Sequence, residues 1–261
     1  MSGPILGVVP VRIGSTRLPD KPLVPILGRP LVAWVWDRVS SFGCFDHAVI
    51  ATDSERIARL CRDLGAPVEL TAPDHPSGTD RVAEVARHPA YRDFEVVVNV
   101  QGDEPLVDED HVREAIRLVD TEGWDVGTCA APVQSAQAFA DPSVVKVVRD
   151  ARGGALYFSR APIPHRRDGA PSQVDLAAEP FLRHVGLYAF RREALARWVA
   201  LPPSPLELLE RLEQLRALEA GLRIGVAVVG PSGPGVDTPE DIGRLEEHLA
   251  GATTSFARRE P

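Results

Sequence analysis

Cysteine is scarce in this sequence. Cys44, Cys61 and Cys129 are the only three, odd in number and scattered, with no pair at metal-ligand or redox spacing. That excludes a disulfide framework and a thiolate metal site, and leaves three small reduced residues of core or surface. Long apolar runs are missing too. No stretch approaches the roughly 20 residues that cross a bilayer, so no membrane span is expected. The start, Met1-Ser2-Gly3-Pro4-Ile5-Leu6, lacks the basic beginning and long apolar stretch of a signal peptide, and a cytoplasmic location is expected. Positive charge is in deficit: 29 Lys+Arg stand against 37 Asp+Glu, a net charge of −8. This argues against broad nucleic-acid binding, which needs a basic face. A polyanion can be held only at a locally basic loop. Internal repeats, a Walker A loop and a dinucleotide fingerprint are all absent.

What is present is an ordinary globular composition, 44% apolar and 25% charged over 261 residues. It suffices for one large α/β domain. Apolar runs alternate with helix-like stretches. Strands are expected at Ile5–Val9, Ala48–Ala51, Pro67–Leu70 and Val96–Val100, the last being the strongest buried run. Helices are expected at Pro30–Val39, from a Thr52-Asp53-Ser54-Glu55 capping box through Leu64, at Thr79–Arg87 and at Asp108–Asp120. The alternation predicts a mostly parallel sheet covered on both faces. Between about 125 and 190 strands dominate (Val126–Ala131, Val144–Val148, Ala155–Phe158, Val185–Phe190), with a short helical piece near Ser135–Phe139. Asp168–Glu179 reads as a polar flexible loop. The pattern resumes with a leucine-rich helix over Pro205–Ala220, a strand over Arg223–Val229 and a capped helix start at Thr238. One domain over 1–250 is expected, with a β-rich insertion at about 132–190 and a flexible tail from 251 to 261.

The loop after the first strand carries Arg12, Gly14, Ser15, Thr16, Arg17 and Lys21, and the first nineteen residues contain no acid. In an open parallel sheet, ligands bind at the C-terminal ends of strands. Cations neutralise a triphosphate there, hydroxyls donate to it, and glycine admits close backbone approach. Asp103, just past the valine-rich strand, and Asp237, just past the last strand, are two carboxylates able to hold Mg2+ beside nucleotide oxygens. Either alone reads more readily as an acidic turn or a helix-start residue than as a ligand.

The stretch VVPVRIGSTRLPDKPL, followed by GRPL, resembles the signature loop of CMP-Kdo synthetases, the 3-deoxy-manno-octulosonate cytidylyltransferases. Val11 and Ile13 depart from the family's usual alanine and aromatic residue. The resemblance continues in order through ATDSERI, APDHPSGTDRVAEV, VVNVQGDEPL, VVKVV, ALYFSRAPIP, RHVGLYAF, SPLELLERLEQLRALEAG and GVDTPEDI, covering Ile5 to about His248. It implies a three-layer Rossmann-like nucleotidyltransferase sheet with a β-rich dimerisation insertion and a homodimer. It also implies conversion of CTP and Kdo to CMP-Kdo and pyrophosphate in lipopolysaccharide precursor synthesis, with Mg2+ as cofactor.

Carried onto this sequence, the resemblance makes Lys21, Arg12, Asp103 and Asp237 catalytic, with the two aspartates as metal ligands. Pro10, Arg12, Ser15, Thr16, Lys21, Thr71, Ala72, Ser77, Gly78, Arg81, Gln101 and Asp103 hold the nucleotide. Gln101, Arg160, His184, Tyr188, Glu213 and Gln214 hold the sugar. Read without it, His184 is a satisfied core histidine, and Glu207, Glu210 and Gln214 form one solvated face of a helix, opposite Leu208, Leu212 and Leu215. The nearest rival is a cytidylyltransferase for another acid sugar, such as sialic acid or an amino-Kdo. More distant ones are a non-catalytic nucleotide-sugar binder and an enzyme using UTP, dTTP or GTP.

Overall fold

The apolar run Ile5-Leu6-Gly7-Val8-Val9-Pro10-Val11 makes the first strand, β1 (Ile5–Val11), apolar on both faces, toward two different cores, and this sets the architecture. Leu6 and Val8 join one core with Val82, Ala83, Leu195 and Trp198. Val9 and Val11 join the other with Val35, Trp36, Val112 and Ile116. A sheet buried on both faces in this way is the middle of three layers. Each fully buried Val or Leu stabilises it by about 1.5–3 kcal/mol. The computed structural model describes residues 3–14, 18–233 and 235–257.

After β1 come a small hairpin of β2 (Pro25–Ile26) and β3 (Arg29–Pro30), then α1 (Leu31–Ser40), β4 (His47–Thr52), α2 (Glu55–Asp63) and β5 (Val68–Leu70). Next are α3 (Gly78–Arg87), β6 (Val96–Asn99), α4 (Glu109–Asp120), β7 (Val126–Pro132), α5 (Ala136–Ala140), β8 (Lys146–Arg149) and β9 (Ala155–Ser159). The chain continues through α6 (Gln173–Leu176), β10 (Leu182–Arg191), α7 (Arg192–Ala200), α8 (Pro205–Glu210), α9 (Gln214–Glu219), β11 (Ile224–Val228) and α10 (Pro239–Ala257). The sheet runs β11-β7-β10-β6-β1-β4-β5, with β8 and β9 branching from β10. All neighbours along the path are parallel except β10, which is antiparallel to both β6 and β7.

Several expectations need correction. The stretch 132–190 is not all insertion, because Tyr188–Arg191 of β10 lies between β6 and β7 in the main sheet. The cap of α2 is Ser54, whose side chain accepts from Ile57 N–H, and not the Thr52 box. The polar stretch Asp168–Glu179 contains α6, closed by a capping box of Ser172 and Asp175. Helical residues reach Ala257, past the start of the expected tail.

The leucine-rich stretch Pro205–Ala220 is two helices rather than one. Arg211 takes a left-handed φ of 53° and turns the chain between α8 and α9. Glu207 therefore points inward, where both its oxygens accept from the Arg216 guanidinium, one at 2.7 Å. Glu210 accepts from Ser159 Oγ at 2.6 Å and from the Arg160 N–H at 3.0 Å. Leu208, expected inside, is exposed.

Candidate active site

Three adjacent strands, β6, β1 and β4, end at one rim of the sheet, and the loops that follow them enclose a cleft of about 290 Å3. Pro10, Arg12, Lys21, Ser77, Gly78, Arg81, Gln101, Asp103, Glu213 and Asp237 line it, together with His75 and Gly102. Ser15, Thr16 and Arg17 lie outside the described residues.

Lys21 is carried on a short turn that begins at Asp20, which adopts a left-handed φ of 51°. Aspartate tolerates this better than most side chains. The turn buries Lys21 and sends its Nζ to Asp103 Oδ2 at 2.5 Å and to Asp237 Oδ1 at 2.8 Å. The two carboxylates are thus brought together from distant parts of the chain. Their loops are joined by the Val236 N–H, which donates to the Asp103 carbonyl at 3.0 Å. Gly102 is required by packing: a Cβ there would lie 2.6 Å from the Pro10 carbonyl oxygen. Burial, reinforced by the Asp103 carboxylate, pushes Glu104 up to about 8.

The chemistry of this pair fits Mg2+. Two hard carboxylates already share one cationic partner, and magnesium is usually held by one or two carboxylates with substrate phosphates completing its shell. Among the described residues there is no cluster of three or more His, Cys, Asp and Glu able to hold a metal.

The loop from Thr71 to Ser77 closes one side. Ser77 caps α3 by accepting from the Asp80 N–H at 3.2 Å. Arg81, buried in α3, donates to Thr71 Oγ1, to the Ala72 carbonyl at 3.3 Å and to Asp53 Oδ2 at 2.9 Å. The Ala72 N–H donates to Glu84 Oε2 at 3.0 Å, and the same oxygen meets His75 Nε2. Thr71 and Ala72 are not among the residues that line the cleft, and both backbone groups of Ala72 already have protein partners. Glu84 and Asp53 were not singled out from the sequence. The only signal was their place inside ATDSERI and APDHPSGTDRVAEV.

Of the residues expected to hold the sugar, Glu213 is beside this loop. Glu213 lines the cleft; burial raises its pKa, opposed by hydrogen bonds from Ser77 and Thr79. Gln214 beside it is buried. Tyr188 is buried, and burial with the nearby Glu213 charge raises its phenol. His184 sits between the rings of Phe158 and Tyr188, at centroid distances of 5.1 and 5.3 Å. Thr128 Oγ1 gives its one proton to the Leu187 carbonyl at 2.6 Å, so it accepts from His184 Nε2 at 2.9 Å. That fixes the tautomer and leaves Nδ1 as an acceptor. Burial pushes His184 down to about 3, so the ring is neutral and suits a hydroxyl rather than a carboxylate.

Arg160, like Gln214, His184 and Tyr188, is not among the residues that line the cleft. Its guanidinium donates to the carbonyls of Glu210 at 2.7 Å and Pro142 at 2.9 Å, tying β9 to α8. Arg183 is nearer the aspartates: it donates to Ser232 Oγ at 2.8 Å and acts electrostatically on Glu104.

An open, mainly parallel sheet with a lysine and two aspartates converging at its strand ends is the make-up of a nucleotide-handling α/β protein. The chain belongs to the cytidylyltransferase family, whose model matches residues 6–224. It is 48% identical to the 3-deoxy-manno-octulosonate cytidylyltransferase of Gemmatimonas aurantiaca over 246 residues, 94% of each chain. It is 50% identical to that of Halorhodospira halophila, covering 93% of this chain and 95% of the relative. Among solved structures it resembles CMP:2-keto-3-deoxy-manno-octonic acid synthetase complexed with CTP, at TM-score 0.86 and 37% identity, over 95% of this chain and 99% of that one. The 4-diphosphocytidyl-2C-methyl-D-erythritol synthase of Anaerococcus prevotii shares the fold, at TM-score 0.58 and 15% identity.

Proposed function

We infer that the chain is a 3-deoxy-manno-octulosonate cytidylyltransferase, joining CMP from CTP to the anomeric oxygen of Kdo and releasing pyrophosphate. The observation that carries this reading is the convergence of Asp103 and Asp237 on Lys21 Nζ within the cleft. A binding protein has no need of such a centre, whereas attack on a polyanion does. Arg12 lies at the same cleft and neutralises the triphosphate. Gln101, also in the cleft lining, is assigned to both nucleotide and sugar in this reading. Glu213, which lines the cleft, and Tyr188 and the His184 Nδ1 acceptor, which do not, are the hydroxyl-binding groups this reading assigns to the sugar.

The Kdo anomeric hydroxyl attacks the α-phosphorus in line, the bond to the bridging oxygen breaks, and pyrophosphate departs. Lys21 is placed to stabilise charge on the phosphate as it transfers. Asp103 and Asp237 would hold Mg2+, which supplies charge neutralisation on the phosphates and eases loss of the attacking hydroxyl's proton.

The same reading places the reaction in the cytoplasm, where CTP is held, as a step toward lipopolysaccharide. No described helix is long and apolar enough to cross a membrane. The working unit is a homodimer, which the exposed leucines Leu156 on β9 and Leu208 and Leu209 on α8 support.

A panel of acid sugars with CTP and Mg2+, scored by pyrophosphate release, tests the reading. Release with Kdo and little with sialic acid or amino-Kdo is expected. Preference for another sugar, or release with UTP exceeding CTP, would overturn it.

A further inference from the structure

We propose that Asp53 is a positioning residue that couples the two loops holding the two ends of a nucleoside triphosphate. This rests on the nucleotide reading above and names a residue to which that reading gives no task.

Sheet order supplies the first argument. β4 lies between β1 and β5, and Asp53 is the first residue after β4. Strand register sets Val11 beside Thr52, and Thr52 beside Leu70. Asp53 therefore stands between the cationic loop that continues from Val11 and the Thr71–Ser77 loop that continues from Leu70. The Thr71 N–H donates to the Thr52 carbonyl at 2.9 Å, which holds the second loop against the same strand end.

Hydrogen bonding supplies the second. The two oxygens of Asp53 face different loops: Oδ1 meets the Ile13 N–H at 3.4 Å, a long contact, and Oδ2 accepts from Arg81 at 2.9 Å. Arg81 in turn donates to Thr71 Oγ1 and the Ala72 carbonyl. One carboxylate thus reaches the backbone of the cationic loop directly and that of the second loop through a single guanidinium. The Asp53 and Arg81 side chains are only 11% and 3% exposed, so solvent screens their pairing little. Glu84 acts on the second loop alone, through the Ala72 N–H and His75.

A ligand that spans both loops gains affinity from their fixed separation, because the second end then binds at high effective concentration. A fragment that touches one loop gains nothing from it. Loss of Asp53 should therefore weaken the whole nucleotide and spare its parts.

The test measures affinities for CTP, cytidine and tripolyphosphate in the wild-type protein and in the Asp53→Asn variant, by calorimetry or NMR titration. CTP affinity is expected to fall about tenfold, the size of one charge-assisted hydrogen bond, with cytidine and tripolyphosphate each within about twofold of wild type. Glu84→Gln, by contrast, is expected to weaken cytidine as well as CTP. Unchanged CTP binding by Asp53→Asn, or a fall in either fragment as large as that in CTP, would overturn the proposal. Should Asp53→Asn not fold, Asp53→Ser carries the same comparison, and where D53N folds the double variant D53N/R81Q is set against R81Q. The two changes break one link, so the double variant should bind CTP as R81Q does; a further tenfold loss would count against coupling. A wild-type chain that binds neither CTP nor the fragments removes the nucleotide reading, and this proposal with it.

Discussion

Lys21 is the residue on which the centre turns, because one ammonium is shared by two carboxylates contributed by different loops. Lys21→Met should lower kcat by about 100- to 1,000-fold, the usual effect of removing a preorganised charged donor, in a pyrophosphate-release assay. Asp103→Asn, if folded, should be as severe; near-normal turnover would refute the metal assignment. His184 makes a different prediction. Its folded-state pKa of about 3 lies below the ordinary 6.5. Below 6.5 the unfolded chain takes up a proton that the native ring refuses, so this residue's stabilisation is full above 6.5 and is lost as pH falls toward 3. Wild-type stability should therefore decline between pH 6.5 and 4.5 with a component of about 1.4 kcal/mol per pH unit, absent from His184→Gln in matched denaturant titrations. At this scale the sequence was informative where chemistry is unusual. Lys21, Asp103 and Asp237 stood out as charges at strand ends. Arg160 is hard to place from sequence because a guanidinium suits carbonyls as well as an acid sugar, and nothing local distinguishes the two. Asp53 and Glu84 were hidden because each divides its bonds between a backbone N–H and a side chain outside its own helix or strand end, which no local pattern shows.

Among the elements, α8 and α9 diverge most from what periodicity suggests. Leucine and glutamate favour a continuous helix, and Arg211 is not a residue that usually breaks one. The break is settled by tertiary pairing: Glu207 turns in to Arg216, and its capping box with Ser204 starts α8. Removing one partner of a nearly buried ion pair leaves the other without compensation. Glu207→Gln should thus cost about 3 kcal/mol of stability, read as a lower midpoint in urea. It should also raise KM for the sugar, since Glu213 and Gln214 begin α9. Most other boundaries were legible within a residue or two, because buried strands and capped amphipathic helices announce themselves locally.

For the molecule as a whole, β10 is the unexpected member. It is antiparallel in an otherwise parallel path, and its Leu182–Arg183 end also pairs with β8. A strand's direction depends on partners far away in the chain, which local alternation does not encode. Dimerisation is argued at this scale too. Leu208 and Leu209 are exposed on α8, beside the end of β9 that Glu210 holds. Leu209→Glu should convert a dimer to a monomer by light scattering, with the Tm lowered.

The bond between Lys21 and Asp237 joins residues 216 positions apart. During synthesis every other cleft residue named here leaves the ribosome before Asp237. A nascent or prematurely ended chain can therefore possess a sugar side, a cationic turn and one carboxylate, yet lack the second half of its acidic pair. Such a chain should release no pyrophosphate from CTP in the same assay.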